Sequence, residues 1–205
     1  LGGIIVFLVV LDAVARMSGF GSFDRFSLDF ERSIANWWAA IQLALLAVTL
    51  TVAAVIEREA GRARAAWTLM VGALAALAFS IDEIATLHEE LESLGNARNV
   101  IPEALGGSSG WVFVYAVGAL VIIGLTVPGI PNLLATHRTE ALLIAFGATI
   151  FFLGGAVVEP LGSSLPKYAE VVIEESSELI GVAIMVWATY RLIGPVELRF
   201  RQSPV

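Results

Sequence analysis

The chain has 205 residues, of which 58% are hydrophobic and 15% are charged, and 12 Lys and Arg stand against 19 Asp and Glu. An average soluble domain is about 25% charged, so this composition excludes a disordered chain, and the acidic balance excludes a nucleic-acid-binding module. The absence of cysteine excludes disulfide scaffolds, thiol catalysis and thiolate metal sites. Hydrophobicity at this length predicts an all-α integral membrane protein in a lipid bilayer.

Six continuous apolar runs predict six transmembrane helices, because a helix that rises about 1.5 Å per residue must cross about 30 Å of hydrocarbon. The runs cover residues 1–17, 33–56, 65–93, 110–127, 140–159 and 167–193. Pro128-Gly129 and Gly194-Pro195 are expected to end the fourth and sixth helices. Residues 1–205 are therefore expected to form a single polytopic bundle. Since position 1 is Leu rather than Met, we expect that the native chain starts further upstream or has lost a signal peptide.

Basic residues in the short connections set the predicted orientation, because cytoplasmic loops are enriched in Lys and Arg. The connections on one side, together with the C-terminal tail, carry most of the arginines: Arg58, Arg62, Arg64, Arg138, Arg199 and Arg201. The connections on the other side mix a few basic residues with acids. The sequence therefore predicts that both termini are cytoplasmic, in the inner membrane of a bacterium.

Acidic side chains gather in the outward halves of the predicted spans. Asp12 lies late in the first helix, where Arg16 follows four residues later as a local partner. The candidate site consists of acids and one histidine on the third, fifth and sixth helices: Asp82, Glu83, His88, Glu89, Glu159, Glu174, Glu175 and Glu178. The alternating direction of the helices brings these segments to the same side of the membrane.

The depth of Glu178 decides between a buried site and a helix that simply extends beyond the bilayer. Asp82 lies about 27 Å along the helix axis from Arg64. This distance is consistent with a buried site and also with a helix that extends beyond the bilayer. Glu178 precedes Arg191 by only about 20 Å, which places it within the hydrocarbon. An ionised carboxylate at that depth must be protonated, paired with a cation or bound to a metal ion.

A divalent metal ion is the interpretation that these side chains favour, because carboxylate oxygen and imidazole nitrogen are ligands of Fe, Mn and Zn. On a continuous helix, Asp82 and Glu89 would share one face. The arrangement is similar to the di-iron and di-manganese bundles, which use a Glu-x-x-His motif. This chain departs from that motif, since Ala85 stands three residues before His88.

One segment also resembles a pattern in other membrane proteins. Ser80-Ile81-Asp82-Glu83, followed by His88-Glu89, is similar to a Ser-x-Asp-Glu-x4-His-Glu pattern found in uncharacterised polytopic bacterial membrane proteins. The resemblance covers one helix and brings no established activity. It implies that the acids and the histidine of this segment act as one unit.

The rest of the sequence indicates packing rather than chemistry. It contains no phosphate-binding loop, dinucleotide fingerprint or serine nucleophile elbow. His137 falls in a cytoplasmic connection, and the sequence predicts no role for it. Glycines within the spans are expected at close helix contacts: Gly72, Gly118, Gly147, Gly154, Gly155 and Gly181.

Three functions remain open at this point. The first is a metal-dependent oxidoreductase or hydrolase that acts on a lipid-soluble substrate at an outward-facing centre. The second is an accessory structural subunit of a larger respiratory or photosynthetic membrane complex, which the short connections and the lack of a soluble catalytic domain favour. The third is a proton- or cation-coupled transporter, although the acids are confined to one half of the membrane.

Overall fold

All regular secondary structure in the described residues is helical. The computed structural model describes residues 2–18, 33–87, 110–154 and 166–200. Six long helices coincide with the six apolar runs, and α5 is a short addition. In chain order the helices are α1 (Gly2–Ser18), α2 (Ile34–Glu59), α3 (Ala63–Ala85), α4 (Gly110–Thr126), α5 (Ile130–Thr136), α6 (Arg138–Leu153) and α7 (Lys167–Phe200). The predicted all-α class is confirmed.

Three stretches are long and apolar enough to cross a membrane: Ile34–Glu59, Ala63–Ala85 and Val114–Thr136. The third combines most of α4 with the turn that follows and α5. Large apolar side chains cover the outside of these helices, and Leu120, for example, is 68% exposed. Contiguous apolar surface of this kind is unfavourable in water, so the three helices have the composition expected of segments in contact with lipid.

The main core, called here the central cluster, lies between α2, α3, α6 and α7. Its buried members include Leu46 and Leu50 of α2, Leu69 of α3, and Val182 and Val186 of α7. Partly buried side chains of α6 pack against this cluster. The central cluster therefore holds four of the helices together, and the hydroxyl group of Ser80 on α3 adds a hydrogen bond of 2.9 Å to the carbonyl of Ala40 on α2.

Helix α3 ends earlier than the sequence predicts. The apolar run 65–93 predicts one helix, but α3 ends at Ala85. Thr86 then adopts a left-handed backbone conformation with φ of 50°, and its N–H donates to the carbonyl of Asp82 at 2.7 Å. β-branched Ile84 and Thr86 weaken the helix at this point, whereas apolarity continues through it. The prediction of one unbroken helix is wrong at Thr86, so acids on either side of this residue need not share a face.

The Pro128-Gly129 pair ends α4 as a 3-10 turn before α5 begins. The last carbonyl groups of a helix have no partner within that helix. Here, Trp67 Nε1 donates to the carbonyl of Leu125 at 3.0 Å, and Thr68 Oγ1 donates to that of Thr126 at 2.9 Å. The beginning of α3 therefore binds the end of α4, which makes the two helices antiparallel neighbours.

Helix α7 continues past the Gly194-Pro195 pair, where the sequence predicts its end. It extends without interruption to Phe200. Proline removes one backbone donor and crowds the preceding turn, yet the helix accommodates it here. The predicted end at residue 193 is therefore wrong. Since the helix does not end there, the depth of Glu178 in the membrane is inferred only from its distance to Arg191.

Helices α6 and α7 cross in close contact at two glycines. A Cβ atom on Gly147 would lie 2.6 Å from the carbonyl oxygen of Gly181, and the reverse distance is the same. Further along, Arg191 Nη2 lies 3.1 Å from Glu140 Oε1. The predicted contact at Gly118 is wrong, because a Cβ atom there would have no described atom outside its own helix within 4 Å.

An ion-pair network forms around Glu57, near the end of α2 that the arginines mark. The Glu57 side chain is 4% exposed, and Arg62 binds both of its oxygens through Nε at 2.5 Å and Nη2 at 2.7 Å. This hydrogen bonding raises the pKa of Arg62. His137 Nε2 lies 3.0 Å from Glu57 Oε1. His137 therefore has a structural role that the sequence does not predict: it joins the α5–α6 junction to the end of α2.

Candidate functional site

The described part of the chain contains five of the eight predicted site residues. All five are partly buried: Asp82, Glu83, Glu174, Glu175 and Glu178. The first two stand in the last turn of α3, and the other three stand in the first half of α7. The remaining three lie outside the described residues: His88, Glu89 and Glu159.

Asp82 is hydrogen-bonded to a side chain on α4. The hydroxyl group of Tyr115 donates to Asp82 Oδ2. The antiparallel pairing of α3 and α4 explains this contact, because the beginning of α4 must lie beside the end of α3. The ring of Tyr115 also packs on Phe79, one turn before Asp82, with a centroid distance of 5.7 Å. Tyr115 is therefore held by its ring and its hydroxyl group at once.

Two further carboxylates act electrostatically on the same hydroxyl group. The charges of Glu83 and Glu178 both influence Tyr115. Glu178 reaches this position beside Gly154, whose missing side chain leaves room: a Cβ atom there would lie 3.5 Å from Glu178 Cγ and 3.0 Å from the carbonyl oxygen of Glu174. Tyr115 of α4 therefore bonds to Asp82 of α3 and lies within electrostatic range of Glu178 of α7.

The backbone of α3 adds to the negative potential at this place. A helix C-terminus carries a partial negative charge, so anionic side chains are unfavourable there and cations are favourable. Asp82 and Glu83 stand in the last turn of α3, which holds no basic residue. The two carboxylates and the helix terminus therefore all contribute negative potential at this place.

Aromatic rings form the inner boundary of the acidic group. Phe79 packs against Phe151 and Phe152 of α6 with centroid distances of 5.6 Å and 6.1 Å. These edge-to-face contacts are stabilising arrangements for aromatic pairs. Because Phe79 precedes Asp82 and Glu83 by one helical turn, the carboxylates border directly on an apolar layer.

The described residues alone do not form a complete metal centre. In the ranges that the structure covers, no three acids or histidines lie within reach of one metal ion. Carboxylate oxygens from two helices are nevertheless suitable ligands for a divalent ion. A centre with three or more protein ligands would draw on the residues outside these ranges: His88, Glu89 and Glu159.

Two further acids are more deeply buried than the predicted site residues. Asp12 on α1 is 0% exposed, and Glu170 on α7 is 7% exposed. Both take part in interactions within the structure, as a buried carboxylate must in order to offset its desolvation. Since α1 packs against α7, buried carboxylates occur on both helices of this pair.

Tyr115 is the residue that the sequence prediction misses. It lies near the start of an apolar helix, where aromatic residues are common at membrane interfaces. A tyrosine in that position carries no signal that distinguishes a site residue from an interface residue. Its role becomes visible only when the rotation of α4 relative to α3 is known.

Comparison with known proteins places the chain by family alone. A family described as Domain of unknown function (DUF8692) matches residues 3–193. No curated protein and no solved structure matches the chain. The family match includes all eight predicted site residues and Tyr115, and the resemblance of residues 80–89 to a motif of other membrane proteins stays a prediction.

Proposed function

The chain belongs to the DUF8692 family, and we propose that it is a multi-pass protein of a bacterial inner membrane that binds a divalent metal ion between its helices. In this proposal both termini are cytoplasmic, and the metal centre opens toward the opposite face. Asp82 and Glu178 are the central ligands, and Tyr115 is the hydrogen-bonding neighbour that orients Asp82. The other ligands come from the remaining predicted residues: Glu83, His88, Glu89, Glu159, Glu174 and Glu175.

The observation that carries this proposal is the hydrogen bond from Tyr115 of α4 to Asp82 at the end of α3. Glu83 stands beside Asp82 in the same turn, and Glu178 of α7, which packs beside Gly154, is within electrostatic range of Tyr115. Several carboxylates in one partly buried place cannot all remain ionised without compensation. The partial negative charge at the C-terminal end of α3 increases the need for a compensating positive charge.

A metal ion can compensate several of these carboxylates at once, in addition to the interactions that each of them makes within the structure. A hard or borderline divalent cation takes carboxylate and imidazole ligands together, which makes Fe, Mn or Zn the expected metal.

The expected chemistry is metal-assisted oxidation or hydrolysis of a lipid-soluble substrate. A bound metal ion would supply Lewis acidity or a redox couple. Tyr115 would hold the Asp82 carboxylate in a fixed orientation, as residues that contact metal ligands commonly do. Any carboxylate of this group that is not engaged in binding the metal would accept a proton. The aromatic layer around Phe79 would face the apolar part of the substrate.

Elemental analysis of the purified protein tests the proposal. We expect about one divalent metal ion per chain in the wild type, and loss of that ion in Asp82→Asn and in Glu178→Gln. Glu140→Gln is the matched control, because Glu140 pairs with Arg191 elsewhere in the fold. Wild-type protein that is folded and contains no metal would contradict the proposal, as would full retention of metal in both site variants.

A role as an accessory subunit of a respiratory or photosynthetic complex is the second candidate, and the surface of α4 favours it. Only 6% of the apolar stretch that includes α4 is buried within the chain. Such a helix needs lipid or a partner subunit around it. Purification in a mild detergent would distinguish these cases, because an accessory subunit co-elutes with a larger complex and a self-sufficient enzyme elutes alone.

Proton or cation transport has less support. The central cluster of Leu46, Leu50, Val182 and their neighbours fills the space between the acidic end and the Glu57 network with apolar side chains. A transport pathway would have to cross this layer. Ion flux into proteoliposomes that depends on Glu178 would favour transport over the metal-enzyme proposal.

A further inference from the structure

Helix α2 carries a buried amide group without a hydrogen-bond partner among the described residues. Gln42 is 0% exposed, and neither its Nε2 nor its Oε1 atom has a partner there. The indole Nε1 of Trp38, one helical turn earlier, is also buried and has no hydrogen-bond partner among the described residues. Two donor groups and one acceptor therefore occur together on one face of α2.

This face of α2 points toward α1 and α7. Ala35, Trp38, Ala39 and Gln42 follow the spacing of a single helix face. The two alanines belong to a second apolar cluster, which also contains Ile5 and Leu8 of α1 and Val171 and Leu179 of α7. Trp38 packs against this cluster. Gln42 is the next residue on this face. It lies about 13 Å along the helix axis from Ser33, the residue that precedes α2.

An apolar cluster lies on each side of Gln42 along α2. Toward the start of α2 lies the second cluster with Leu179, and toward its end lies the central cluster with Leu46 and Val182. Helix side chains lean toward the N-terminus, so the Gln42 amide points back toward the turn that carries Trp38. The neighbouring side chains supply no polar atom to it.

An amide group that is buried without a partner is strongly unfavourable, and almost all such groups in proteins are hydrogen-bonded to protein or to a bound molecule. A donor–acceptor amide beside an indole N–H is complementary to the oxygen of a water molecule or a hydroxyl group, which both accepts and donates. Apolar walls with a few convergent polar groups are typical of sites for small neutral ligands. These groups differ in kind from the carboxylates of the metal site.

We propose that Trp38 and Gln42 form a buried site for a neutral oxygen ligand, which accepts hydrogen bonds from the indole N–H and the amide of this face. The oxygen belongs either to an internal water molecule or to the hydroxyl group of a lipid-soluble compound. Both sources accept from an N–H group and can also donate to Gln42 Oε1, so they offer the same hydrogen-bonding chemistry. The indole and the amide of this site are not among the proposed ligands of the metal ion.

Thermal unfolding of purified variants tests the site. Gln42→Met keeps the size of the side chain and removes its polar atoms, and Trp38→Phe removes the indole N–H. If an oxygen ligand is bound, Gln42→Met lowers the Tm by about 2–4 °C for a chain of this size. The double variant then loses less than the sum of the single losses, because the two residues share one ligand. An unchanged or raised Tm in Gln42→Met overturns the proposal, as does strict additivity.

Two further measurements on wild-type protein identify the source of the oxygen. Mass spectrometry of an organic extract detects a lipid-soluble compound that is stoichiometric with wild type and absent from Gln42→Met. Infrared difference spectra in water enriched in oxygen-18 detect a buried water whose band shifts in wild type and disappears in Gln42→Met. Either result supports the site and names its ligand. Absence of both signals overturns the proposal even if Gln42→Met fails to fold.

Discussion

Tyr115 donates a hydrogen bond to Asp82 across the interface between α4 and α3, although 33 positions separate the two residues in the chain. The bond fixes one oxygen of a carboxylate at the end of a helix, where negative charge is least favourable. In the proposed metal centre, the tyrosine therefore acts on the metal through Asp82.

Replacement of Tyr115 by Phe keeps the ring that packs on Phe79 and removes the hydroxyl group. We expect metal affinity to fall about tenfold, the lower limit for the loss of a residue that orients a metal ligand. Isothermal titration with Mn²⁺ measures the change. Tyr190→Phe is the control, because Tyr190 is 66% exposed on α7. Equal affinity in Tyr115→Phe and wild type would show that this hydrogen bond does not orient a metal ligand.

The crossing of α6 and α7 predicts a large difference between two glycines. Gly147→Ala places a methyl group against the backbone of Gly181, and overpacking of this kind costs about 1–3 kcal/mol. Gly118→Ala meets open space and removes the entropic disadvantage of glycine in a helix, so it is expected to stabilise by up to about 1 kcal/mol. Chemical unfolding in detergent measures both. Similar effects of the two substitutions would be inconsistent with the described crossing.

The network around Glu57 predicts a second stability difference. Glu57→Gln removes the charge that holds Arg62 and His137, and we expect a loss of about 1–3 kcal/mol, as for other hydrogen bonds to charged groups. Glu59→Gln, two residues later, changes an exposed side chain and is expected to have no measurable effect. Chemical unfolding of the two variants side by side decides the matter. If Glu57→Gln is as stable as the wild type, the network around Glu57 does not contribute to the stability of the fold.

The absence of native cysteine makes the orientation directly testable, because one introduced thiol is the only thiol in the chain. Ala60 and Pro166 are both exposed, and they stand at opposite ends of the proposed bundle. In cells whose outer membrane is permeable and whose inner membrane is intact, a membrane-impermeant maleimide should label Pro166→Cys. It should label Ala60→Cys only after lysis. The reverse pattern would invert the proposed topology, and labelling of both in intact cells would argue against membrane insertion.

Hydrophobicity along the sequence predicts the number and approximate place of the long helices, because apolar length is set by the residues themselves. It does not predict the end of α3 at Thr86 or the continuation of α7 through Pro195. Both depend on local backbone conformation, which an apolar run does not encode. The same limit explains why Gly147 and Gly118 look alike in sequence and differ in the fold.

The acidic side chains of the site are visible in the sequence because charges are rare within apolar runs. The sequence identifies Asp82 and Glu178 on this ground alone. It does not identify Tyr115 or the contact between Glu57 and His137, because these contacts depend on how each helix is rotated toward its neighbours. Rotation is determined by packing between helices that are distant in the chain.

The most direct test of the proposed centre asks whether Asp82 and Glu178 reach one cation. In a chain without native cysteine, the double variant Asp82→Cys/Glu178→Cys supplies two thiolates, which are strong ligands for soft divalent ions. We expect the double variant to bind one Cd²⁺ through both sulfur atoms. The complex should show the ultraviolet charge-transfer band of two thiolate ligands, and the double variant should bind Cd²⁺ far more tightly than either single variant. Asp82→Cys/Glu140→Cys is the control pair. If the double variant binds Cd²⁺ no more tightly than its single variants or the control, the two carboxylates do not share an ion and the proposed centre is wrong.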